Sequence, residues 1–145
     1  MYKQILIPVD GSDCSIHALE QGIKLAQILG SYIKLIHVLE DPLTVAYSLP
    51  ETVSFRPELF AELKKAAQEV LTQAESKVNE AGLNCESKLI SDNNPAHAIL
   101  QASENADLVV MATHGRKGID RVVFGSVTEG VLRRAKVPSL IIRCT

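Results

Sequence analysis

Two kinds of hydrophobic pattern alternate along this chain. Short runs of almost unbroken apolar residues predict strands that are buried on both faces, as in a parallel sheet. These runs cover residues 3–9, 32–39, 85–90, 108–112 and 139–143, and the third is the weakest. Between them, apolar residues recur at every third or fourth position, which predicts amphipathic helices over residues 13–29, 58–81, 95–104 and 126–135.

Polar residues and glycines mark the ends of these predicted helices. Ser12 and Asn94 are suited to capping the first and third helices, because their side chains can accept a hydrogen bond from a free N–H group. Gly30 is suited to ending the first helix, since glycine readily adopts the left-handed conformation found there. Ser126 and Glu129 have the S-x-x-E spacing of a capping box, which predicts that Ser126 caps the last helix.

The order of the predicted elements indicates the fold class. Strands that alternate with helices require a parallel sheet with helices on both faces, and right-handed crossovers leave few arrangements. We expect one α/β domain over residues 1–145, with a five-stranded, doubly wound sheet of strand order 3-2-1-4-5. In that order the connections change direction between the first and fourth strands. A ligand would bind outside their carboxyl ends, at residues 9–11 and 112–114.

Residues 107–138 carry the strongest signal for a ligand. A buried strand, a loop that contains Gly115, and a helix that begins near Gly125 and Ser126 form a backbone arrangement that binds phosphate. Gly125-Ser126 alone is more often an ordinary helix start, and the combination with the strand and Gly115 favours the phosphate site. The chain contains no G-x-x-x-x-G-K-[ST], and no G-x-G-x-x-G follows its first strand. A P-loop enzyme and the dinucleotide fingerprint are therefore excluded.

Composition and charge narrow the classes of function. The net charge is −2, from 15 basic and 17 acidic side chains, and aromatic residues make up only 4%, so nothing favours nucleic-acid binding. No apolar run approaches the roughly 20 residues that span a bilayer. The chain enters its first strand without a secretory signal. We therefore expect a cytoplasmic protein with neither a nucleic-acid nor a membrane partner.

The side chains that could carry chemistry are scattered. Cys14, Cys85 and Cys144 lack zinc-site spacing and are expected to be unpaired thiols in a reducing cytosol. The histidines fall on different elements, so a metal cluster is not expected. The spacings suggest neither a Ser-His-Asp nor a Cys-His constellation, and no general base for phosphoryl transfer is identifiable. The pattern favours a protein that holds a nucleotide over one that cleaves it.

Three stretches resemble the universal stress protein family: ILIPVDGS at the start, LIHV in the second strand, and THGR…FGSVTEGVLRRAKVPSLIIR near the end. The resemblance covers nearly the whole chain and implies a Rossmann-like fold of the adenine nucleotide alpha hydrolase type. The family's nucleotide-binding branch carries G-x2-G-x9-G-[ST], in which Gly115, Gly125 and Ser126 match the last three defined positions. Ala112 replaces the first glycine. We expect ordinary β conformation at Ala112, where the added methyl group costs little.

The resemblance also implies a set of contacts with ATP or another adenine nucleotide. Adenosine would lie against the end of the first strand, with Val38 beside the base and the end of the fourth strand as the opposite wall. The following loop would bind the inner phosphates, and the last helix would bind the outer ones. The residues concerned are Pro8, Val9, Asp10, Val38, Met111, Ala112, His114, Gly115, Arg116, Gly125, Ser126, Val127 and Thr128. Asp10 would also reach a phosphate-bound Mg²⁺, since hard cations prefer carboxylate oxygen.

Most of these positions also have an explanation that needs no ligand. Asp10 is as well suited to a turn as to a ligand contact, because it precedes Gly11. Val38 and Met111 are core residues first, and any contact with a base is secondary. Solvation, loop shape and the helix start could account for the remaining side chains, namely Arg116, His114 and Thr128.

Together with the resemblance, these features predict a nucleotide-dependent sensor or switch in the stress response. Bound ATP would favour one conformation or assembly state of the protein. The resemblance also implies a homodimer that pairs the last strand, and residues 139–143 are short, apolar and at a predicted sheet edge. The alternatives are a slow ATP-hydrolysing or nucleotidyl-transferring enzyme on the same fold, or a dimeric interaction module without nucleotide. Residues 41–57, the longest irregular segment, would either cover the base or only connect two elements.

Overall fold

A computed structural model describes residues 1–40, 57–114 and 124–144 of the chain. Within these ranges, five strands form one parallel sheet: β1 (Gln4–Pro8), β2 (Tyr32–Leu39), β3 (Cys85–Ser91), β4 (Leu108–Ala112) and β5 (Ser139–Ile142). The helices that accompany them are α1 (Asp13–Leu29), α2 (Pro57–Glu80), α3 (Pro95–Ser103) and α4 (Ser126–Arg134). The strand order β3-β2-β1-β4-β5 confirms the predicted doubly wound topology.

Helices cover both faces of the sheet, because its central strands are apolar on both sides. In β1, Ile5 and Ile7 pack with residues of α1 and α2, whereas Leu6 packs with residues of α3 and α4. All three side chains are at most 1% exposed. Burial of each such side chain stabilises the fold by roughly 1.5–3 kcal/mol, which is why the unbroken apolar runs were a reliable signal for these strands.

The ends of α1 and α3 confirm the predicted caps. The Ser12 side chain accepts a hydrogen bond from the Ser15 N–H at 3.2 Å, and the Asn94 side chain accepts one from the His97 N–H at 3.2 Å. Gly30 ends α1 in the left-handed conformation, with φ of 69°. These contacts satisfy backbone groups that the helices cannot pair internally.

The capping box predicted for Ser126 and Glu129 is wrong. The N-cap of α4 is Gly125, and Ser126 is the first helical residue. The helix begins at Ser126 as predicted, and the Gly125 N–H donates to the Thr113 carbonyl at 2.9 Å, which holds the cap residue against the end of β4. The Glu129 carboxylate instead accepts a hydrogen bond from the Arg133 guanidinium at 2.7 Å. The start of α4 is therefore determined by a tertiary contact and not by a local side-chain cap.

Cys14 and Cys144 form a disulfide, so the expectation of unpaired thiols is wrong for these two residues. They are 130 residues apart in sequence, yet their Cα atoms are 5.2 Å apart. Strands β1, β4 and β5 are neighbours in the parallel sheet, so their carboxyl ends lie on the same side of the molecule. The start of α1 follows β1 and Cys144 follows β5, and the two segments therefore meet there. Closing so long a loop restricts the unfolded chain and stabilises the fold by on the order of 4 kcal/mol. Cys85 is a free thiol, as predicted.

Some expectations fall on residues that the structure does not describe. The irregular segment at 41–57 lies outside the described residues, except for Pro57, with which α2 begins. Gly115 and Arg116 also lie outside them. Across the part of the chain that is described, no helix is both long and apolar enough to cross a bilayer.

The segment before α3 supports a prediction on pH. One Asp92 carboxylate oxygen accepts a hydrogen bond from the Asn94 N–H at 2.9 Å, and the other lies 3.0 Å from Nδ1 of His97. The hydrogen bond from the Asn94 backbone, and next in importance that from His97, lower the pKa of Asp92 below its ordinary value. A carboxyl group whose pKa is lower in the folded than in the unfolded protein stabilises the fold at higher pH. This stabilisation is lost as the pH falls through the folded-state pKa.

We expect Asp92→Asn to lower the free energy of unfolding near pH 7, and the gap from the wild type to shrink below about pH 4. Urea unfolding of both proteins across this range measures the gap. Glu104→Gln, which removes an exposed carboxylate just beyond the other end of α3, controls for the loss of one negative charge. A gap for Asp92→Asn that stays constant down to about pH 3 would contradict this prediction.

Candidate functional site

The carboxyl ends of β1 and β4 lie side by side at the point where the sheet changes direction. Ile5 and Leu6 pair with Leu108 and Val109, so residues 9–10 and 112–113 follow adjacent strands to the same edge. The end of β2 reaches this edge as well, because the Val9 N–H donates to the Ile36 carbonyl at 2.8 Å. This is the crevice in which a doubly wound sheet binds its ligands.

Two hydrogen bonds hold the N-terminus of α4 against the end of β4. The Gly125 N–H donates to the Thr113 carbonyl at 2.9 Å, and the Thr128 hydroxyl donates to the Ala112 carbonyl at 2.8 Å. Thr128 is only 3% exposed, so its hydroxyl is used within the protein. The free N–H groups of a helix start carry partial positive charge. The arrangement therefore places an anion-binding element beside the crevice.

Gly125 is not required by the backbone or by the packing around it. Its φ and ψ are −58° and 158°, which any residue can adopt. A Cβ atom built there would lie 3.5 Å from the Thr113 carbonyl oxygen and 3.7 Å from the His114 Cα, and both distances are ordinary van der Waals contacts. Among the described residues, nothing would therefore prevent a side chain at this position. Lack of a Cβ does, however, allow a ligand to approach the backbone closely.

Asp10 acts as a turn residue on the opposite side of the crevice. One of its carboxylate oxygens accepts hydrogen bonds from the Ser12 N–H at 2.9 Å and from the Ser12 hydroxyl at 2.6 Å. The Asp10 N–H donates to the Ser15 hydroxyl at 3.0 Å. The turn and the cap of α1 are thus one network, which fixes the orientation of the half-buried Asp10 carboxylate at the edge of the sheet.

Ala112 has the ordinary β conformation that we predicted. It is the last residue of β4 and pairs with Ile142 of β5. Among the described non-glycine residues, only Tyr2 has a positive φ. The backbone at Ala112 therefore does not need glycine, and its methyl group adds no strain.

The apolar members of the predicted site are divided between the two sides of the sheet, because Val9 packs with residues of α1 and α2 on the side opposite to Val38, Met111 and Val127. Val38 and Val127 are half-buried and Met111 is 6% exposed, and all three pack in the core beneath α3 and α4. Pro8 ends β1 and pairs with Ile36 of β2. Packing explains Val38, Met111 and Val127 as core residues, and Pro8, Val38 and Met111 lie near the carboxyl ends of their strands, beside the crevice.

Sequence reasoning missed two buried polar residues that shape this edge. His37 is 6% exposed, and its Nδ1 lies 2.6 Å from the Val9 carbonyl oxygen, so Nδ1 must carry the proton that is donated. Thr113 is 9% exposed, and its hydroxyl accepts a hydrogen bond from the Cys144 N–H at 3.1 Å. Nδ1 of the half-buried His114 lies 3.1 Å from the same hydroxyl. The sequence signal that could have identified these two residues is a polar side chain inside an apolar run or directly after one.

The described residues do not form a metal site by themselves. Over residues 1–40, 57–114 and 124–144, no group of three or more histidine, cysteine, aspartate or glutamate side chains could hold a metal ion. Asp10 is a single carboxylate, so a cation there would need further oxygen ligands, such as those of phosphates.

Comparison with known proteins places these features in a family. The family model for the universal stress proteins matches residues 1–143. Universal stress protein MJ0531 of Methanocaldococcus jannaschii is 34% identical over 99% of this chain and 83% of its own length. Universal stress protein YxiE of Bacillus subtilis is 30% identical over 99% of this chain and 100% of its own.

Solved structures share the fold at lower sequence identity. The hypothetical protein MJ0577, a universal stress protein of Methanocaldococcus jannaschii, superposes with a TM-score of 0.83 at 23% identity, over 100% of this chain and 98% of its own. A universal stress protein in complex with cAMP gives 0.69 at 21% identity, over 98% and 97%. One from Archaeoglobus fulgidus in complex with dAMP gives 0.68 at 23% identity, over 97% and 98%.

The attachment of α4 can be tested by removing one hydrogen bond. Thr128→Val keeps the shape of the side chain but leaves the Ala112 carbonyl without this donor, so we expect a loss of about 1–3 kcal/mol in the free energy of unfolding. Urea unfolding measures it. Thr72→Val is the matched control, because the Thr72 hydroxyl donates to the Gln68 carbonyl at 2.9 Å on an exposed helix surface. Equal losses in the two variants would show that the buried bond has no special role.

Proposed function

We propose that this chain, which belongs to the universal stress protein family, binds an adenine nucleotide at the crevice between β1 and β4. Occupancy of the site would favour one conformation or assembly state, so that the protein acts as a nucleotide-dependent sensor in the stress response. ATP is the proposed ligand, with Mg²⁺ held between its phosphates and Asp10.

The observation that carries this proposal is Gly125 at the start of α4. Neither its φ of −58° nor the contacts of a built Cβ among the described residues call for glycine. A phosphate group that lies against this backbone would call for it, since a side chain would occupy the same space. Universal stress proteins of the same fold have been determined in complex with cAMP and with dAMP, and both ligands are adenine nucleotides that carry a phosphate group.

The site residues divide into two groups under this proposal. Pro8, Val9, Val38, Met111 and Ala112 would line the nucleoside, because they lie near the carboxyl ends of β1, β2 and β4. The phosphates would bind the loop after β4 and the first turn of α4, through His114, Gly115, Arg116, Gly125, Ser126, Val127 and Thr128. Thr128 would contribute only its backbone N–H as a donor, since its hydroxyl proton is donated to Ala112.

We propose binding without rapid turnover, in the cytoplasm. Asp10, the carboxylate at the crevice, already accepts two hydrogen bonds from Ser12 through one oxygen. It is therefore suited to a fixed position and less to moving a proton. Slow hydrolysis or nucleotidyl transfer on the same fold is the alternative, and phosphate release from ATP with magnesium distinguishes the two.

Titration calorimetry with ATP, AMP and cAMP tests nucleotide binding. We expect saturable binding to the wild type, and affinity reduced roughly tenfold or more in Gly125→Ala and Ser126→Ala, since tenfold corresponds to the loss of about one hydrogen bond. Gly125→Ala should stay within about 1 kcal/mol of the wild type in the free energy of unfolding, because its Cβ fits the protein and only the preference for glycine at a helix cap is lost. Ser76→Ala, at an exposed position of α2, is the control for serine removal.

The proposal fails if the wild type shows no saturable binding and purifies without nucleotide. Native mass spectrometry of freshly purified protein provides the second of these readouts. Unchanged affinity in Gly125→Ala would place any bound nucleotide elsewhere on the molecule.

We also propose a homodimer in which β5 pairs with its counterpart. β5 is an edge strand of the sheet, and edge strands present unpaired backbone groups that can bind another chain. Leu140 of β5 is 40% exposed, and Leu132 on the neighbouring helix α4 is 38% exposed. A two-fold axis through β5 would bury these leucines against their copies.

Light scattering coupled to size-exclusion chromatography tests the dimer. We expect the wild type to have twice the mass of the 15.8 kDa chain and Leu140→Glu to have the mass of one chain. Ile28→Glu is the matched control, because Ile28 is an 81% exposed apolar residue on α1. A wild type that has the mass of one chain at high protein concentration would refute the proposed dimer.

A further inference from the structure

The disulfide between Cys14 and Cys144 lies at the same edge of the sheet as the candidate site. Cys14 is in the first turn of α1, which begins just after β1, and Cys144 follows the end of β5. Neither the proposed nucleotide nor the core explains why two cysteines meet here. Both residues are half-buried, so small thiol reagents can reach them.

On one side, the disulfide is connected to the start of α4. The Cys144 N–H donates to the Thr113 hydroxyl at 3.1 Å, and the Thr113 N–H donates to the Ile142 carbonyl at 3.0 Å. The Thr113 carbonyl in turn accepts the hydrogen bond from Gly125 at 2.9 Å. Thr113 is thus held by the C-terminal segment and itself holds the N-cap of α4. Any loosening of that segment removes support from the start of the helix.

On the other side, the disulfide is connected to the turn after β1. Cys14 lies between Ser12 and Ser15, whose hydroxyls accept hydrogen bonds from the Ser15 and Asp10 N–H groups. The Ser12 hydroxyl also donates to the Asp10 carboxylate at 2.6 Å. The bridge therefore ties together the two elements that border the crevice, namely the turn at Asp10 and the Thr113–Gly125 contact.

The third cysteine provides a contrast. Cys85 is a free, half-buried thiol in β3. Burial, together with the nearby Glu75 carboxylate, raises the pKa of the Cys85 thiol, which disfavours the reactive thiolate. Cys85 is therefore poorly suited to thiol exchange and serves as an internal control.

We propose that Cys14 and Cys144 are a reversible redox pair, whose disulfide orders the crevice and strengthens nucleotide binding. Coupling to the nucleotide rests on the function proposed above. In the proposed cytoplasmic location the pair is reduced at rest, because disulfides in a reducing cytosol are mostly transient or redox-sensing. Oxidative stress then converts the protein to its tighter-binding form.

The oxidant is a low-molecular-weight disulfide such as oxidised glutathione. One cysteine thiolate attacks a sulfur of that disulfide, forms a mixed disulfide and releases the first small thiolate. The second cysteine thiolate then attacks the bound protein sulfur and releases the second small thiolate. The two protons lost by the cysteines are taken up by the two released thiolates. The protein pair loses two electrons, and the small disulfide gains them.

The effect on affinity follows from preorganisation. In the oxidised protein the C-terminal segment is pinned to α1, so Thr113 and Gly125 are already in place when a ligand arrives. In the reduced protein, part of the binding free energy must order them. A coupling of about tenfold in affinity is typical of such linked equilibria.

Three measurements on the wild type, Cys14→Ser, Cys144→Ser and Cys85→Ser test the proposal after equilibration with reduced or oxidised glutathione. Intact mass after alkylation counts the free thiols. Hydrogen exchange then reports the protection of the Cys144 and Gly125 amides without any ligand, and calorimetry reports the ATP affinity. We expect slower exchange and about tenfold tighter binding in the oxidised wild type. Cys85→Ser should behave like the wild type, and the other two variants should not respond to oxidation.

The possible failures are distinguishable. Thiols at positions 14 and 144 that stay reduced in oxidised glutathione, or amide exchange that is the same in both forms, would overturn the redox pair whatever binds. Equal ATP affinity of the two forms would overturn the coupling. Slower exchange in the oxidised form with no ATP binding in either would contradict the proposed function, while the redox-dependent ordering would stand.

Discussion

The attachment of α4 to the end of β4 is the interaction on which the candidate site depends. Two short hydrogen bonds, from Gly125 to the Thr113 carbonyl and from Thr128 to the Ala112 carbonyl, set the position of the helix start. Loss of the buried Thr128 hydroxyl would leave the Ala112 carbonyl without its side-chain donor. The positively polarised helix end is thereby fixed beside the crevice by two hydrogen bonds that involve no charged side chain.

The opposite border of the crevice is also held in place by a few hydrogen bonds within the protein. Asp10, Ser12 and Ser15 exchange hydrogen bonds that form the turn after β1 and cap α1 at the same time. His37 holds the Val9 carbonyl from within β2. Hydrogen bonds among the backbone, short hydroxyl side chains and the Asp10 carboxylate thus determine the geometry of this border. The disulfide joins the two borders, so the crevice and the C-terminal segment form one connected unit.

Local patterns in the sequence were sufficient to predict the fold. The apolar runs of β1, β2 and β4 and the caps at Ser12 and Asn94 all agree with the structure, because each depends on residues close in sequence. The start of α4 at Ser126 was predicted, but the cap was assigned to Ser126 and not to Gly125, whose N–H group donates to the distant Thr113 carbonyl. The disulfide was missed for a related reason: it depends on the order of strands that are far apart in the chain.

The candidate site was predictable only in part. Its placement followed from topology, and the ordinary conformation of Ala112 was anticipated. The supporting roles of Thr113 and His37 were not, because a polar residue in an apolar run has no local pattern that reveals its partner. The sequence Asp-Gly-Ser was equally compatible with Asp10 as a turn residue and as a ligand contact. Only the structure shows that its carboxylate forms the turn.

The central claim is that the backbone at the start of α4 binds the phosphates of an adenine nucleotide. The most direct measurement is a titration of the ¹⁵N-labelled protein with ATP, followed by amide chemical shifts. The account predicts that the largest shift changes occur at Gly125, Ser126 and Val127, with smaller ones at Val9 and Asp10 on the other border of the crevice. A titration that reaches saturation without shift changes at these amides would contradict the account. So would one in which the largest shift changes occur in β3, on the far side of the sheet.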